Sequence, residues 1–133
     1  MSVSAYKRVV RENDHPREIE RRVFSRITQS LSQHATVFDA LEDRSERLNV
    51  LNGGLQLALS ENVRLWAVLK ADLGRAENQL PEKLRAQLIS LALVVERMTG
   101  SILHGEGKVG HLIAINRPII DGLAGISAPS EAA

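Results

Sequence analysis

The apolar positions between residues 81 and 104 form the most regular pattern in the chain. They recur at alternating spacings of four and three residues, which keeps them on one face of a helix. The stripe consists of Leu84, Leu88, Leu91, Val95, Met98 and Ile102. Ile89, Leu93 and Val94 widen the apolar surface beyond this stripe, which is typical of a helix that its neighbours cover. The pattern therefore predicts a central apolar helix over 81–104.

Four more stretches show helical periodicity. They cover 16–34, 36–52, 54–73 and 111–123. The pair Gly53-Gly54 predicts a break between the second and third stretches, because each glycine costs a helix roughly 1 kcal/mol relative to alanine. The apolar phase continues through both glycines, however, so a single helix over 36–73 is the alternative. Pro118 is expected to kink the last helix or to force a restart, because proline cannot donate a backbone hydrogen bond.

The same pattern defines the fold class and the domain organisation. Period-two alternation never persists along the chain, so no strand is predicted. We expect an all-α fold, a small helical bundle of four to five helices around the central apolar helix. With 133 residues, of which 44% are hydrophobic and 25% charged, the chain has the size and composition of one globular domain. The sequence predicts a flexible leader over 1–15, one all-helical domain over 16–124 and a disordered tail over 125–133.

Charge and cysteine content narrow the possible functions. The chain has 17 basic and 16 acidic side chains, and its net charge of +1 gives no overall attraction to nucleic acid or membranes. Four arginines lie in the first helix, namely Arg17, Arg21, Arg22 and Arg26. Glu18 and Glu20 are interleaved with them, which favours a solvated helix face over a set of phosphate contacts. The chain has no cysteine, which excludes disulfides and thiolate chemistry.

The predicted location is the cytoplasm. The first ten residues are too short and too broken in their apolar content for an export signal. Charged residues interrupt the stretch 81–104 too often for a bilayer span. We therefore expect no membrane insertion.

The sequence contains no complete catalytic or metal-binding pattern. The sequence GEGKVG over 105–110 contains the Gly-Lys pair of a phosphate-binding loop, but a helix precedes it and no Ser or Thr follows Lys108. His104 and His111 flank this loop without further ligands nearby for a metal ion. No serine, histidine and acid stand in a nucleophile arrangement. We predict no enzyme activity, no metal site and no cofactor.

One helix offers candidates for binding a partner. Trp66 directly follows Leu65, so both side chains cannot face the same line of the helix. Either Trp66 fills the core, or it lines a groove with Leu69 and the facing part of the 81–104 helix. Asn62 lies on the apolar face, where a buried asparagine usually bridges helices. The candidate partner-binding residues are Asn62, Leu65, Trp66, Leu69, Leu91, Val95 and Met98.

Three motifs follow one another along the chain. They read ALSENVRLW over 58–66, ENQLP over 77–81 and LIAINRPIIDGL over 112–123. Together they resemble the FlaF family of flagellar biosynthesis proteins, and the resemblance extends from Tyr6 to Leu123. Two features depart from the family pattern. The link over 35–54 is longer and more charged, and Pro118 falls inside the third motif.

The resemblance implies a small cytoplasmic protein without enzyme activity that is needed for flagellin production and export, beside a second regulator called FlbT. As a dedicated chaperone, it would hold a terminal helical segment of flagellin in an apolar groove. As a post-transcriptional regulator, it would act on flagellin messenger RNA, directly or through FlbT. A scaffold without direct flagellin contact is a third possibility. Near-neutral charge and one Trp, one Tyr and two Phe favour the chaperone, because RNA recognition usually needs a basic stripe and stacking platforms.

Overall fold

The computed structural model describes the backbone of residues 3–127 and the side chains of residues 18–122. Its helices are α1 (Val3–Ala40), α2 (Arg44–Val50), α3 (Gln56–Leu73), α4 (Glu82–Leu103) and α5 (Val109–Ser127), and a π-helical turn at Leu51–Leu55 joins α2 to α3. This part of the chain contains no strand. The prediction of an all-α bundle is confirmed.

The four long helices, α1, α3, α4 and α5, form an up-and-down bundle in which neighbours run antiparallel. Helix α1 packs along α5 and α3, whereas α4 packs mainly on α3 and touches α5 only sparsely. The short helix α2 and the π turn connect α1 to α3 at one end. The core is mainly aliphatic, as the composition requires, and its largest fully buried side chains are Trp66, Phe24, Phe38, Leu31, Leu55, Leu59, Leu73, Ile102, Leu112, Val95 and Val109.

The first helix is longer at both ends than the sequence pattern suggested. The predicted boundary at residue 35 is wrong, because Ala35 and Phe38 continue the buried face of α1 up to its end at Ala40. The chain turns instead at residues 41–43, where Asp43 Oδ1 accepts a hydrogen bond of 2.7 Å from the Ser45 N–H and caps α2. At the other end, the backbone is helical from Val3, well before the predicted start at residue 16. No glycine or proline interrupts residues 3–15. The flexibility of this leader stays a prediction.

The two adjacent glycines break the helix, as expected. Gly53 and Gly54 have non-helical backbone angles, and φ of Gly54 is +124°. This value lies in the region that glycine adopts without strain. Leu51 and Leu55, on either side, are both buried, which explains why the apolar phase continues across the break. The alternative of one uninterrupted helix over 36–73 is therefore wrong.

Pro118 does not divide the last helix. Helix α5 runs from Val109 to Ser127 with Pro118 inside it, so the expected restart does not occur. The carbonyl of Ala114 loses its backbone donor, but Ala114 and Pro118 are both exposed and water can bind there. The tail that was predicted to be disordered covers 125–133. Its first three residues are the last three of α5, and residues 128–133 lie outside the described residues.

Helix α4 lies at the edge of the bundle and not at its centre. Its buried residues are Ala92, next to its midpoint, and Val95, Thr99 and Ile102, in its C-terminal half. Helix α4 contributes Ala92, Val95 and Ile102 to the core, but it packs mainly on α3 alone, whereas α1 packs on both α3 and α5. The periodicity identified the apolar face of α4 correctly, but periodicity cannot say how many neighbours cover that face.

Candidate partner-binding surface

The inward stripe of α4 is covered only along part of its length. In the C-terminal half, Val95 is 0% and Ile102 is 1% exposed. In the N-terminal half, Leu88 and Leu91 are only partly buried and Leu84 is 40% exposed. These positions lie on the same face of the helix, so the decrease in burial means that the bundle opens toward the start of α4.

One ion pair fixes the rotation of α4. Lys70 Nζ of α3 lies 2.6 Å from Glu96 Oε1, so the Glu96 flank of α4 faces α3. Leu91 and Met98 lie on the other flank of the inward face, which is the flank next to α5. Both side chains are partly buried against the core.

The rotation of α5 follows from its own contacts. Asn116 points into the core, whereas Arg117, Ile120 and Asp121 line a cleft with Ser25, Thr28, Gln29 and Ser32 of α1. Ile115 and Ile119 therefore lie on the opposite flank of α5, which faces α4. We define the α4–α5 seam by the residues of both flanks, all of them partly or well exposed: Leu84, Leu88, Leu91, Val94, Met98, Ile115 and Ile119.

Trp66, by contrast, belongs to the core. It is 0% exposed, its ring meets Phe24 edge-on at 5.7 Å between centroids, and its Nε1 donates a 2.9 Å hydrogen bond to Asn116 Oδ1. Asn116 Nδ2 in turn donates to Thr28 Oγ1 at 3.0 Å and to Asn62 Oδ1 at 2.8 Å. Of the two interpretations of Trp66, the structure agrees with the core position, and Asn62 bridges helices as expected.

The seven residues named from the sequence do not form one groove. Asn62, Trp66 and Val95 are buried, and the other four are partly exposed. Leu65 lies on the flank of α3 that faces α1, because the Glu61 carboxylate on that flank pairs with Arg26 at 3.0 Å, and Leu69 lies two turns beyond Asn62 on the inward face. Leu91 and Met98 belong to the α4–α5 seam, on another side of the molecule. The groove expected between Trp66, Leu69 and α4 is therefore absent from the surface.

Of the seven residues of the α4–α5 seam, sequence reasoning named only Leu91 and Met98 as candidates for binding a partner. Leu84 and Leu88 were part of the recognised stripe but were expected to be buried, and Val94 was assigned only to a widened apolar face. Ile115 and Ile119 are four residues apart and so share a helix face. That spacing was the available signal for the α5 side of the seam.

The opposite end of the bundle is held by polar contacts. Arg47 is buried and donates from Nε to the Leu41 carbonyl at 2.8 Å and from a terminal nitrogen to the carbonyls of Gly105 at 3.2 Å and Gly107 at 2.8 Å. Its guanidinium also lies 4.4 Å from the centroid of Phe38. The loop between α4 and α5 is thereby fixed to α1 and α2.

Asp39 adds a second contact at the same end. Its carboxylate accepts the N–H of Val109 at 2.7 Å and the N–H of Gly110 at 2.9 Å, which caps the start of α5. The loop over 104–108 thus packs against protein groups, consistent with a structural turn. His104 Nδ1 lies 2.8 Å from the Gly100 carbonyl. Among the described residues, no group of three or more His, Asp or Glu side chains could hold a metal ion.

Carboxylates engage the three arginines of α1 that lie among the described side chains, Arg21, Arg22 and Arg26. Arg21 binds both oxygens of Glu18, and Arg22 Nε donates to the same carboxylate at 3.1 Å. The hydrogen bonds from Arg21 are the main cause that holds the pKa of Glu18 at about 2, below its ordinary value of 4.5. Arg26 pairs with Glu61. From residue 18 onward, where the side chains are described, this face therefore presents alternating charges and no free basic stripe.

Within the described part of the chain, α4 is the one helix that is long and apolar enough to cross a membrane. Only 22% of the most apolar 18-residue stretch of α4 is buried in the structure. Core helices of soluble proteins can have the same length and composition, so these two properties are weak evidence for a membrane span. The cytoplasmic location stays a prediction.

Fold and surface together define a class, a small all-α bundle that is closed at one end and has an open apolar seam between two helices. The particular family comes from comparison with protein-family models. The model described as flagellar protein FlaF matches residues 2–123, and the chain therefore belongs to the FlaF family. This is a family of flagellar proteins and not a known enzyme family. No curated protein and no solved structure matches the chain.

Proposed function

We propose that this FlaF protein is a dedicated chaperone of flagellin that binds a terminal helical segment of flagellin along the α4–α5 seam and so promotes flagellin synthesis and secretion. The observation that carries the proposal is the uncovered inward stripe of α4. Leu84 and Leu88 occupy positions that a closed bundle would bury, yet no described side chain covers them fully. A further amphipathic helix is the kind of element that completes such a face.

The physical basis is the burial of apolar surface. Each additional 100 Å² of apolar surface removed from water contributes about 2.5 kcal/mol before the costs of association. The seam offers aliphatic side chains on two helices, and a partner helix would insert its own apolar residues between them. Of the seven candidate residues named from the sequence, Leu91 and Met98 are contact residues in this proposal. Leu65 and Leu69 lie elsewhere, and the buried Asn62, Trp66 and Val95 support the surface from below.

The second candidate function is regulation of flagellin messenger RNA, either by direct contact or through FlbT. Direct contact is disfavoured because Arg21, Arg22 and Arg26 are all paired with carboxylates. An effect on translation through bound flagellin or through FlbT is compatible with the chaperone function.

The test uses neutral substitutions, so that charge effects do not enter. We expect Leu84→Gln/Leu91→Gln to reduce binding of purified flagellin, measured by calorimetry with ribonuclease-treated protein, by at least about tenfold, because two apolar contacts are lost. The matched control is Leu57→Gln, since Leu57 is a 66% exposed leucine on α3 outside the seam. It should bind as the unchanged protein does.

Two outcomes would contradict the proposal. If the unchanged protein does not bind flagellin, the proposed chaperone function is wrong. Binding of flagellin leader RNA by the ribonuclease-treated, flagellin-free protein would favour the regulator. Circular dichroism melting of each variant checks that lost binding does not come from unfolding, and the partly exposed position of Leu91 predicts that the double variant stays folded.

A further inference from the structure

The charges of α4 are divided between its two flanks. Glu96 faces α3, where it pairs with Lys70. Glu82 precedes Glu96 by nearly four turns, at about 3.6 residues per turn, and so lies toward the same flank. Lys83 and Arg97 are rotated by one residue from these two glutamates, away from α3. At about 100° of rotation per residue, Lys83 lies within about 20° of Val94 on the outer border of the α4–α5 seam, and Arg97 lies about 60° from Val94 on the solvent side of that border.

Neither cation on this border is neutralised within the described side chains. Lys83 and Arg97 are both exposed, and neither takes part in an ion pair in that part of the chain. On α5, Asp121 points into the cleft against α1 and not into the seam. The outward-facing α5 residues beside Ile115 and Ile119 are Pro118 and Gly122, which carry no charge. The border of the seam is therefore positive and has no carboxylate on either helix.

We propose that the α4–α5 seam selects a helix whose apolar stripe is bordered by Asp or Glu residues on the side that contacts α4. This inference rests on the proposed function and specifies the segment of flagellin that is bound. The seam from Leu84 to Met98 is about 21 Å long at 1.5 Å per residue, which corresponds to about four turns of partner helix. Acidic residues beside the apolar stripe of the partner helix would contact Lys83 near one end of the seam and Arg97 near the other.

Charge complementarity of this kind acts on specificity and on the rate of association more than on the apolar contact itself. The two effects can therefore be separated. The apolar residues should determine whether a helix binds, and Lys83 with Arg97 should determine which amphipathic helix is preferred and how binding depends on salt.

The experiment compares charge reversals on and off the seam. Lys83→Glu/Arg97→Glu should weaken flagellin binding by about tenfold at low ionic strength, because attraction becomes repulsion. The matched control is Arg64→Glu/Arg75→Glu, which makes the same change in net charge at two exposed positions outside the seam. Its affinity should stay within about twofold of the unchanged protein. The affinity of the unchanged protein should fall with added salt, and that of the seam variant should not.

A partner-side measurement completes the test. Synthetic peptides that cover the flagellin termini are assayed before and after all Asp and Glu are replaced by Asn and Gln. The neutral version of the bound peptide should lose affinity for the unchanged protein and bind the reversed seam variant at least as well as the acidic version does.

The outcomes separate this inference from the function on which it rests. No flagellin binding by the unchanged protein contradicts the chaperone function itself. A second outcome is that Leu84→Gln/Leu91→Gln abolishes flagellin binding while charge reversal of Lys83 and Arg97 does not change it. The seam is then the binding site, but the preference for an acidic border on the partner helix is wrong. Binding that neither variant affects leaves the chaperone function standing and overturns the seam.

Discussion

Asn116 shows how one side chain fixes the contacts of several others. The indole Nε1 of Trp66 can only donate, so the acceptor at 2.9 Å must be the amide oxygen of Asn116. The Asn116 nitrogen is then the donor to Thr28 and Asn62, which orients the Asn62 oxygen toward it. The Asn62 nitrogen is left buried without a partner. This network joins three helices. The orientation of both asparagine amides in it follows from the single N–H donor of the Trp66 indole.

We expect Asn116→Ala to lower the free energy of unfolding by about 2–4 kcal/mol, because the buried Trp66 N–H loses its acceptor and Asn62 loses its donor. Urea unfolding followed by tryptophan fluorescence measures the change. Trp66→Phe, followed by circular dichroism, is the control that removes the indole donor while keeping an aromatic ring. A loss below about 0.5 kcal/mol for Asn116→Ala would mean that water replaces the side chain at no cost.

At this scale the sequence predicted some roles and not others. Asn62 stood out because it interrupts an apolar face, and a bridging role followed from the chemistry of a buried amide. The position of Trp66 could not be decided, because one helix pattern does not show whether a neighbouring helix covers the edge of its apolar face. The unpaired nitrogen of Asn62 depends on the orientation of another helix and has no signal in the sequence.

At the scale of helices, the break between α2 and α3 depends on one of its two glycines. Gly54 has φ of +124°, and an added Cβ would lie 3.2 Å from the His34 ring. Gly53 has φ of −86°, and a Cβ there would meet nothing within 4 Å. Position 54 therefore requires glycine and position 53 does not, although the sequence shows only two adjacent glycines.

This difference makes Gly54→Ala and Gly53→Ala a matched pair. Gly54→Ala should lower the free energy of unfolding by about 1–2 kcal/mol, because alanine is strained at positive φ and crowds His34. Gly53→Ala should leave it unchanged or raise it by up to about 1 kcal/mol, because alanine restricts the unfolded chain. Chemical denaturation of both variants provides the comparison, and equal losses would show that the break is not set by Gly54.

The accuracy of the helix predictions also differs between helices for physical reasons. Helix α4 was placed over 81–104 and is found at Glu82–Leu103, because its apolar period is regular and a proline and a glycine border it. Helix α1 was ended too early because its apolar residues become sparse after Leu31. Ala35 and Phe38 continue the buried face nevertheless, and the helix ends only at Ala40.

At the scale of the whole molecule, the two ends of the bundle are built differently. At one end, Arg47 and Asp39 bind the loop between α4 and α5 and the start of α5. At the other end, the inward residues of α4 lose their cover, and Leu84 is 40% exposed. Composition and periodicity predicted that a bundle forms, but the difference between its ends depends on how far each helix extends past its neighbours, which no local pattern records.

This asymmetry predicts a gradient of local stability along α4. Backbone amides open most readily where few apolar contacts hold the helix in place. We therefore expect amide hydrogen exchange in the free protein to be faster over 84–91 than over 95–102, although both segments belong to one helix. If flagellin completes the bundle along the α4–α5 seam, binding should slow exchange over 84–91 and over 115–119, and leave α2 unchanged. Slowing centred on α2 or on the α1–α3 flank around Leu65 would place the partner elsewhere. Uniform exchange along α4 before binding would show that the N-terminal half needs no cover, and the physical reason for a partner at that end would disappear.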